Sequence, residues 1–291
     1  MPLKEIKIFR RHGKQYVPDL RKAELPAIFR GRPIISRDIT AAEAAALCNL
    51  CPVGAIGMIS VKPALEPEPK EISATSVLPD HASAPDTKSP DGSRMEFSGC
   101  TIDLGKCVFC RECEFAFPGK IRFTSDHKMA TNMRERLIIS PGNDLPIQLD
   151  PGKVRREIRS FFKHALKLRQ VSAAGDNSAE MELNAAGNVN FDMGRYGIEF
   201  VASPRHADGI VITGPISQNM AEALQICYDA IPSPKIVILV GADAISGGIF
   251  NGSEALGREF LDNYQVDLYV PGNPPHPLTF INGILDLIGR Q

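Results

Sequence analysis

The sequence predicts two units: a small cysteine-bearing α+β domain and, behind it, a larger α/β domain built on a parallel sheet. Two observations support this division. Six of the seven cysteines lie between Cys48 and Cys113, and only Cys227 lies beyond them. After that region, short apolar runs alternate with helical patterns. A chain of 291 residues is long enough for each unit to bury a core of its own.

The apolar runs of the rear half have the character of buried parallel strands, because each ends at small or turn-forming residues. They cover residues 199–202, 210–213 and 236–240. Between the last two runs, Ser217 is expected to cap a helix, and Cys227 is expected to pack on that helix's buried face. This alternation of strands and helices predicts a doubly wound, flavodoxin-like sheet.

Composition and motifs exclude several classes of function. The net charge is −1, so no overall positive field favours nucleic acid as a partner. No run approaches the roughly 18 consecutive apolar residues that a membrane span requires. The sequence also has neither a phosphate-binding P-loop nor a dinucleotide fingerprint, so no nucleotide is expected to bind.

The beginning of the sequence is strongly basic. Residues 1–37 contain ten Lys and Arg against three acids, and they are expected to form a solvated basic N-terminal arm. Arg10 and Arg11 form a pair like that of a twin-arginine export signal. Because an apolar export segment does not follow this pair, the chain is expected to be cytoplasmic.

Composition and turn signals divide the rest of the chain. The predicted parts are a cysteine-bearing domain over 38–126 with a disordered insertion over 61–95, a connector over 127–152, and the α/β domain over 153–291. The insertion is rich in Pro, Ser, Asp and Glu, which favours disorder. Residues 153–170 carry apolar side chains at helical spacing and basic side chains on the other faces, which predicts an amphipathic surface helix.

One motif carries chemistry. Cys107, Cys110 and Cys113 are spaced so that three thiolates can wrap one iron–sulfur cubane. The spacing resembles that of two-cluster ferredoxins, which use the pattern C-x2-C-x2-C-x3-C-P twice and let the fourth Cys of each run bind the other cluster. In this run Phe117 occupies the position of the fourth Cys, and Pro118 follows it where the family pattern also has Pro.

The ferredoxin resemblance divides eight ligand positions into two complete sets. Cys51, which precedes Pro52, joins the three cysteines of the second run to hold one [4Fe–4S] cluster. The ligand positions of the other cluster, counted back by the same spacing, are Ala41, Ala44, Leu47 and Phe117. The resemblance therefore implies one retained cluster and one whose place is filled by apolar side chains. A zinc site of the same cysteines is the alternative, and Cys48 or Cys100 could replace Cys51.

Residues 166–290 resemble the 20-kDa subunit of complex I and the small subunit of membrane-bound group 4 [NiFe]-hydrogenases, including formate hydrogenlyase. The matching stretches are 194–198 (GRYGI), 203–208 (SPRHAD), 213–215 (TGP), 234–235 (PK), 244–250 (AISGGIF) and 270–272 (VPG). This module resembles one that holds a further [4Fe–4S] cluster at its strand ends.

The ligand positions of that further cluster carry no thiol here. Read onto this chain, they are Asp176, Ala179, Asp243 and Asn273. Carboxylate and amide oxygens are hard ligands that do not replace thiolates around a sulfide-bridged iron cube, so this cluster is expected to be absent. Asp176 and Asp243, if brought together, could instead share a proton or hold a hard metal ion.

The expected function follows from these resemblances. The chain is expected to be a non-catalytic iron–sulfur subunit with one [4Fe–4S] cluster, without catalytic residues of its own. Its expected partners are a hydrogenase or complex I large-subunit-like protein and the membrane subunits of the same complex, at the inner face of the cell membrane. Two alternatives remain: a redox-inert structural subunit of such a complex, and a one-cluster electron carrier to another acceptor.

Overall fold

The computed structural model describes residues 2–13, 16–61 and 96–290. We call the described residues of 16–152 the front unit and residues 153–290 the rear unit. Helix α1 (Pro2–His12) precedes both. The front unit contains β1 (Pro33–Ile35), α2 (Ala41–Leu50), β2 (Ile56–Val61), β3 (Glu96–Asp103), α3 (Glu112–Ala116), β4 (Ile121–Phe123) and β5 (Ile138–Ile139). The rear unit contains α4 (Arg156–Phe161), β6 (Leu166–Ser172), α5 (Ser178–Ala186), β7 (Ile198–Phe200), β8 (Gly209–Thr213), α6 (Gln218–Asp229), β9 (Ile236–Val240), α7 (Ala242–Ser246), α8 (Phe260–Asn263), β10 (Leu268–Val270) and α9 (Pro277–Leu287).

The rear unit is built on a five-stranded sheet in the order β10-β9-β8-β6-β7. Every pairing in this sheet is parallel; Val211 of β8, for example, lies between Gln170 of β6 and Ile238 of β9. Numbered from β6, the order is 2-1-3-4-5, the order of flavodoxin-like sheets. The α/β prediction for the rear of the chain is confirmed, and Ser217 does precede α6, although its side chain makes no capping hydrogen bond.

The front unit contains two strand–helix–strand segments, β1-α2-β2 and β3-α3-β4. Their strands pair across the segments: β1 with β4 and β2 with β3, both antiparallel. Strand β5 adds to the outer side of β3. Each of these two sheets therefore combines a strand from one segment with a strand from the other.

Helix α2 forms because its sequence is rich in alanine and is well capped at its start. Thr40 and Glu43 make a capping box, in which each side chain bonds the other residue's backbone N–H. The helix stops at Leu50, just before the Cys51-Pro52 pair, as expected where a residue precedes proline.

The amphipathic helix predicted over 153–170 is wrong for most of its length. Helix α4 ends at Phe161, and the chain then forms strand β6 from Leu166 to Ser172. Leu166 and Leu168 are fully buried, and β6 pairs with both β7 and β8. The apolar spacing of this segment fits a period of two as well as a period of 3.6, and pairing within the sheet decides the outcome.

The basic arm predicted over 1–37 is solvated only in its first part. From residue 16 onward the chain packs on the rear unit, where Leu20 is fully buried and Arg21 forms an ion pair with Asp286. Pro33–Ile35 then enters the front unit as β1. Apolar side chains between the basic residues, among them Leu20, account for this packing.

The boundaries expected around the insertion and the connector also differ from the structure. Val61 ends β2, and the rest of the expected insertion, 62–95, lies outside the described residues. The expected connector supplies β5, whose Ile139 lies opposite Ile102 of β3. Its Thr131 also exchanges backbone hydrogen bonds of 3.0 and 2.8 Å with Tyr269 in the rear unit. The connector is therefore bonded to both units.

The two units share a core. Alternate residues of β8 face opposite sides of the sheet, so Ile210 and Ile212 lie in one apolar cluster and Val211 lies in another. The first cluster also contains Leu47 and Cys107 of the front unit. The front unit therefore helps to cover one face of the rear sheet, which departs from the expectation of a separate core for each unit.

Candidate metal centre

The loop that carries the three clustered cysteines begins at the end of β3. Cys107 donates its backbone N–H to the carbonyl of Asp103 at 2.9 Å, which starts the loop with a tight turn. Phe109 and Arg111 both adopt left-handed backbone conformations, with φ of 54° and 68°. Left-handed residues in a turn aim backbone N–H groups into a concavity. One of these groups, the N–H of Phe109, donates to Cys107 Sγ at 3.3 Å.

Side chains outside the loop hold it in this shape. Arg30 donates to the carbonyl of Phe109 at 2.9 Å, and Arg111 forms an ion pair with Glu114. The ring of Phe109 packs edge-on against that of Phe123, with 6.0 Å between ring centroids. The strained residues are thus fixed by contacts from β4 and from the segment before β1.

Cys51 reaches the same place from the other segment. It follows α2 directly, and its Sγ accepts a hydrogen bond from the N–H of Ala55 at 3.2 Å. Cys51, Cys107, Cys110 and Cys113 line a single cavity, which we call the thiol pocket. The structure thus brings the four predicted ligands together.

Cys48 and Cys100, the other two cysteines of the front unit, lie outside the wall of the thiol pocket. Cys100 is fully buried in β3 opposite Met58. Burial raises the pKa of Cys100 to about 11, and the nearby thiol of Cys48 contributes to this rise. These two cysteines are therefore neighbours in the core of the front unit.

The thiol pocket suits a sulfur-bound metal group that neutralises its ligands. Burial raises the pKa of Cys107 to about 12 and that of Cys113 to about 11, so both thiols keep their protons at neutral pH. Metal binding requires thiolates and therefore releases these protons. Within the described ranges, no three His, Cys, Asp or Glu side chains are arranged around one metal ion. The four cysteines therefore line one cavity without forming a binding site for a single metal ion.

The four apolar positions of the second ferredoxin-type set have different surroundings. Ala44 and Leu47 are fully buried on α2, and Phe117 packs half-buried against the same cluster. Ala41, by contrast, is the exposed first residue of α2. Three of the four positions therefore add apolar surface to the core.

The four rear positions also come together. Asp176, Ala179, Asp243 and Asn273 line one small cavity, which we call the rear pocket. It lies where the chain leaves the carboxyl ends of the parallel strands, the edge at which such sheets bind ligands. Gly248, with φ of 58°, leaves room for Asp243, since a Cβ there would lie 1.9 Å from a carboxylate oxygen.

The pKa values of the two aspartates in the rear pocket are shifted in opposite directions. Asp176 accepts hydrogen bonds from the N–H and the hydroxyl of Ser178 at 2.9 and 2.6 Å, and these bonds lower its pKa. Burial, with a smaller contribution from Asp176, raises the pKa of Asp243. The two aspartates are therefore neighbours, as expected if both occupy ligand positions.

Sequence patterns did not reveal a third carboxylate in the rear pocket. Glu180 is buried, and it accepts a hydrogen bond from the hydroxyl of Thr213 at 2.6 Å. Glu180 directly follows the ligand position Ala179, so its place in the sequence was a usable signal. Thr213 was predicted as the end of a strand and as the first residue of the matching stretch 213–215, and not as part of a pocket.

A cleft lies between the two pockets and shares a wall with each. It has a volume of about 270 Å³, and Val108 belongs both to its wall and to the thiol pocket. Asn273 and Pro274 belong both to its wall and to the rear pocket. The two candidate sites are therefore separated by this cleft, which we call the interunit cleft.

The fold and the two pockets describe a flavodoxin-like α/β module joined to a cysteine-bearing unit, and comparison with known proteins identifies the family. Residues 177–287 match the family described as NADH ubiquinone oxidoreductase, 20 Kd subunit. The chain belongs to this family, and the resemblance predicted for the rear unit is confirmed.

Three relatives illustrate the likeness. The probable membrane-bound hydrogenase subunit mbhJ of Pyrococcus furiosus is 35% identical over 115 residues, which make up 40% of this chain and 69% of the relative. An uncharacterized protein of Methanocaldococcus jannaschii is 38% identical over 126 residues, 43% of this chain and 84% of the relative. An NADH-quinone oxidoreductase subunit of Geotalea daltonii is 40% identical over 114 residues, 38% of this chain and 66% of the relative. Two of these three relatives are thus named as oxidoreductase subunits, one of them as a probable subunit of a membrane-bound hydrogenase.

Proposed function

We propose that this chain is a peripheral iron–sulfur subunit of a membrane-associated oxidoreductase related to complex I and the energy-converting hydrogenases. Its front unit would be a ferredoxin-like domain with one [4Fe–4S] cluster bound by Cys51, Cys107, Cys110 and Cys113. Its rear unit would dock a large subunit without a cluster of its own. The proposed partners are that large-subunit-like protein and the membrane subunits of the complex, at the cytoplasmic face of the membrane.

One observation carries the proposal: four thiols line the front pocket, and the four corresponding positions of the rear pocket contain no sulfur. A cubane binds one thiolate at each of four separate irons, so its ligands must surround a volume. The thiol pocket has this arrangement. Oxygen ligands such as those of Asp176 and Asp243 do not substitute for thiolates around such a cluster.

The residues around the thiol pocket have clear tasks in this proposal. A bound cluster would supply one-electron transfer. The N–H groups of Phe109 and Ala55 donate to ligand sulfurs and stabilise their negative charge, which is one of the means by which proteins set cluster potentials. Cys107, buried in the shared core, keeps water from one side of the site.

The proposal predicts about four iron atoms and about four acid-labile sulfides per chain in protein purified without oxygen. Cys51→Ala should lose most of both, because one iron loses its thiolate. Cys48→Ala and Cys227→Ala are matched controls outside the thiol pocket and should keep the wild-type content. About eight irons per chain would contradict the proposal, as would zinc in place of iron. Loss of iron in Cys48→Ala but not in Cys51→Ala would overturn the ligand assignment.

A second candidate function is that the cluster only stabilises the fold. The observation that favours it is the membership of Cys107 in the core shared by both units. Reductive titration followed by electron paramagnetic resonance separates the two. A reversible one-electron signal supports electron transfer, and a cluster that cannot be reduced without loss of iron supports the structural role.

A further inference from the structure

No α1 side chain whose exposure the structure describes belongs to the shared core. Every side chain of α1 for which the structure describes exposure is exposed: Lys4, Glu5, Ile6, Lys7, Ile8, Arg10 and Arg11. Ile6 is 49% exposed and Ile8 is 54% exposed. A helix of 11 residues is marginal in water by itself, so contact with a further surface would stabilise it.

The charges of α1 indicate which kind of surface fits. Lys4, Lys7 and Arg11 recur at helical spacing and share one face, and Ile6 lies on the opposite side. Glu5 is the only acid of the helix. Residues 1–37 carry ten Lys and Arg against three acids, whereas the whole chain has a net charge of −1, so the remainder is acidic. Such a separation of charge favours an anionic partner at this end alone.

We propose that α1 binds directly to an anionic lipid bilayer. Its cations would lie at the level of the lipid phosphates, and exposed apolar side chains such as Ile6 would enter the headgroup region. Each Lys or Arg near an anionic membrane surface adds to the electrostatic attraction. The acidic remainder of the chain is repelled by the same surface, so α1 would also orient the subunit. This goes beyond the proposed function, in which membrane association arises through partner subunits.

The test is cosedimentation of the purified full chain with vesicles at low salt. One set of vesicles contains only phosphatidylcholine, and the other also contains about 30% phosphatidylglycerol, comparable to an anionic leaflet. We expect binding to the anionic vesicles only, with loss of binding as salt rises. The variant K4Q/K7Q/R10Q/R11Q should bind at least about tenfold more weakly.

The control removes the same number of charges from the exposed basic segment at α4, in the variant R156Q/R159Q/K163Q/K167Q. This control should bind as the wild type does. Iron content, measured in parallel, should be unchanged in both variants, so failure of lipid binding is distinguishable from failure of the cluster proposal. The inference is overturned if the wild type ignores anionic vesicles, as it would if α1 binds an acidic protein surface, or if the α1 variant binds equally well.

Discussion

At the residue scale, the two aspartates of the rear pocket have opposite effects on folding. Asp176 bonds Ser178, which lowers its pKa; an ionised Asp176 therefore stabilises the folded state, and this stability is lost as pH falls. Burial raises the pKa of Asp243. Its ionisation therefore destabilises the folded state, and this loss grows as pH rises through the folded pKa. The ionised carboxylate of Asp243 thus lowers the free energy of unfolding.

Asp243→Asn is expected to stabilise the protein at neutral pH by up to about 1 kcal/mol, because it removes a charge that is costly to bury and that water screens only in part. The gain should narrow as pH falls toward the ordinary pKa of aspartate. Urea unfolding between pH 5.5 and pH 8 measures it. Asp176→Asn is the matched comparison and should cost about 0.5 kcal/mol or less at neutral pH, since Asn can still accept from Ser178 and only the charge of an exposed group is lost. A destabilised Asp243→Asn would show that the carboxylate has a favourable partner.

At the scale of single elements, the sequence was informative where one period dominated. The buried runs of β8 and β9 were predicted within a residue or two, because all five residues of each strand are apolar or small and buried. Strand β6 was missed, since its apolar residues also fit a helix. Strands β1 and β5 were missed because each is only two or three residues long and depends on partners distant in sequence.

The candidate sites, too, were predictable only where a local sequence pattern specified them. Spacing selected Cys107, Cys110 and Cys113, because a ligand pattern is a local property of the sequence. The resemblance to two-cluster ferredoxins added Cys51, with Cys48 and Cys100 left open as replacements for it. Glu180 and the interunit cleft were not predictable in this way. Both depend on how loops from β6, β9 and β10 meet at one edge of the sheet, which only the tertiary structure specifies.

Helix α2 leads to a prediction about the second ferredoxin-type ligand set, which carries apolar side chains in place of cysteines. In a helix, Ala41 and Leu47 are about 9 Å apart along the axis, and Ala41 is exposed while Leu47 is buried. The variant A41C/A44C/L47C/F117C should therefore still bind about four irons per chain, not about eight. The corresponding four-serine variant controls for the loss of apolar packing. Recovery of a second cluster would show that this segment can leave its helical form.

At the scale of the whole molecule, the shared core predicts that both units unfold together. All five tyrosines lie outside the thiol pocket, and four of them belong to the rear unit, so near-ultraviolet circular dichroism reports chiefly on that unit. Visible absorbance of the cluster reports on the front unit. In anaerobic urea titrations, the two signals should change at the same midpoint. Separate midpoints would contradict the shared core.

The connector between the units is hydrogen-bonded on both sides, through β5 to β3 and through Thr131 to Tyr269. A swivel of one unit against the other would have to break backbone bonds on one of these sides. We therefore expect no hinge here. A partner protein that binds either unit consequently fixes the orientation of the other. In an assembly the chain would behave as a single rigid body.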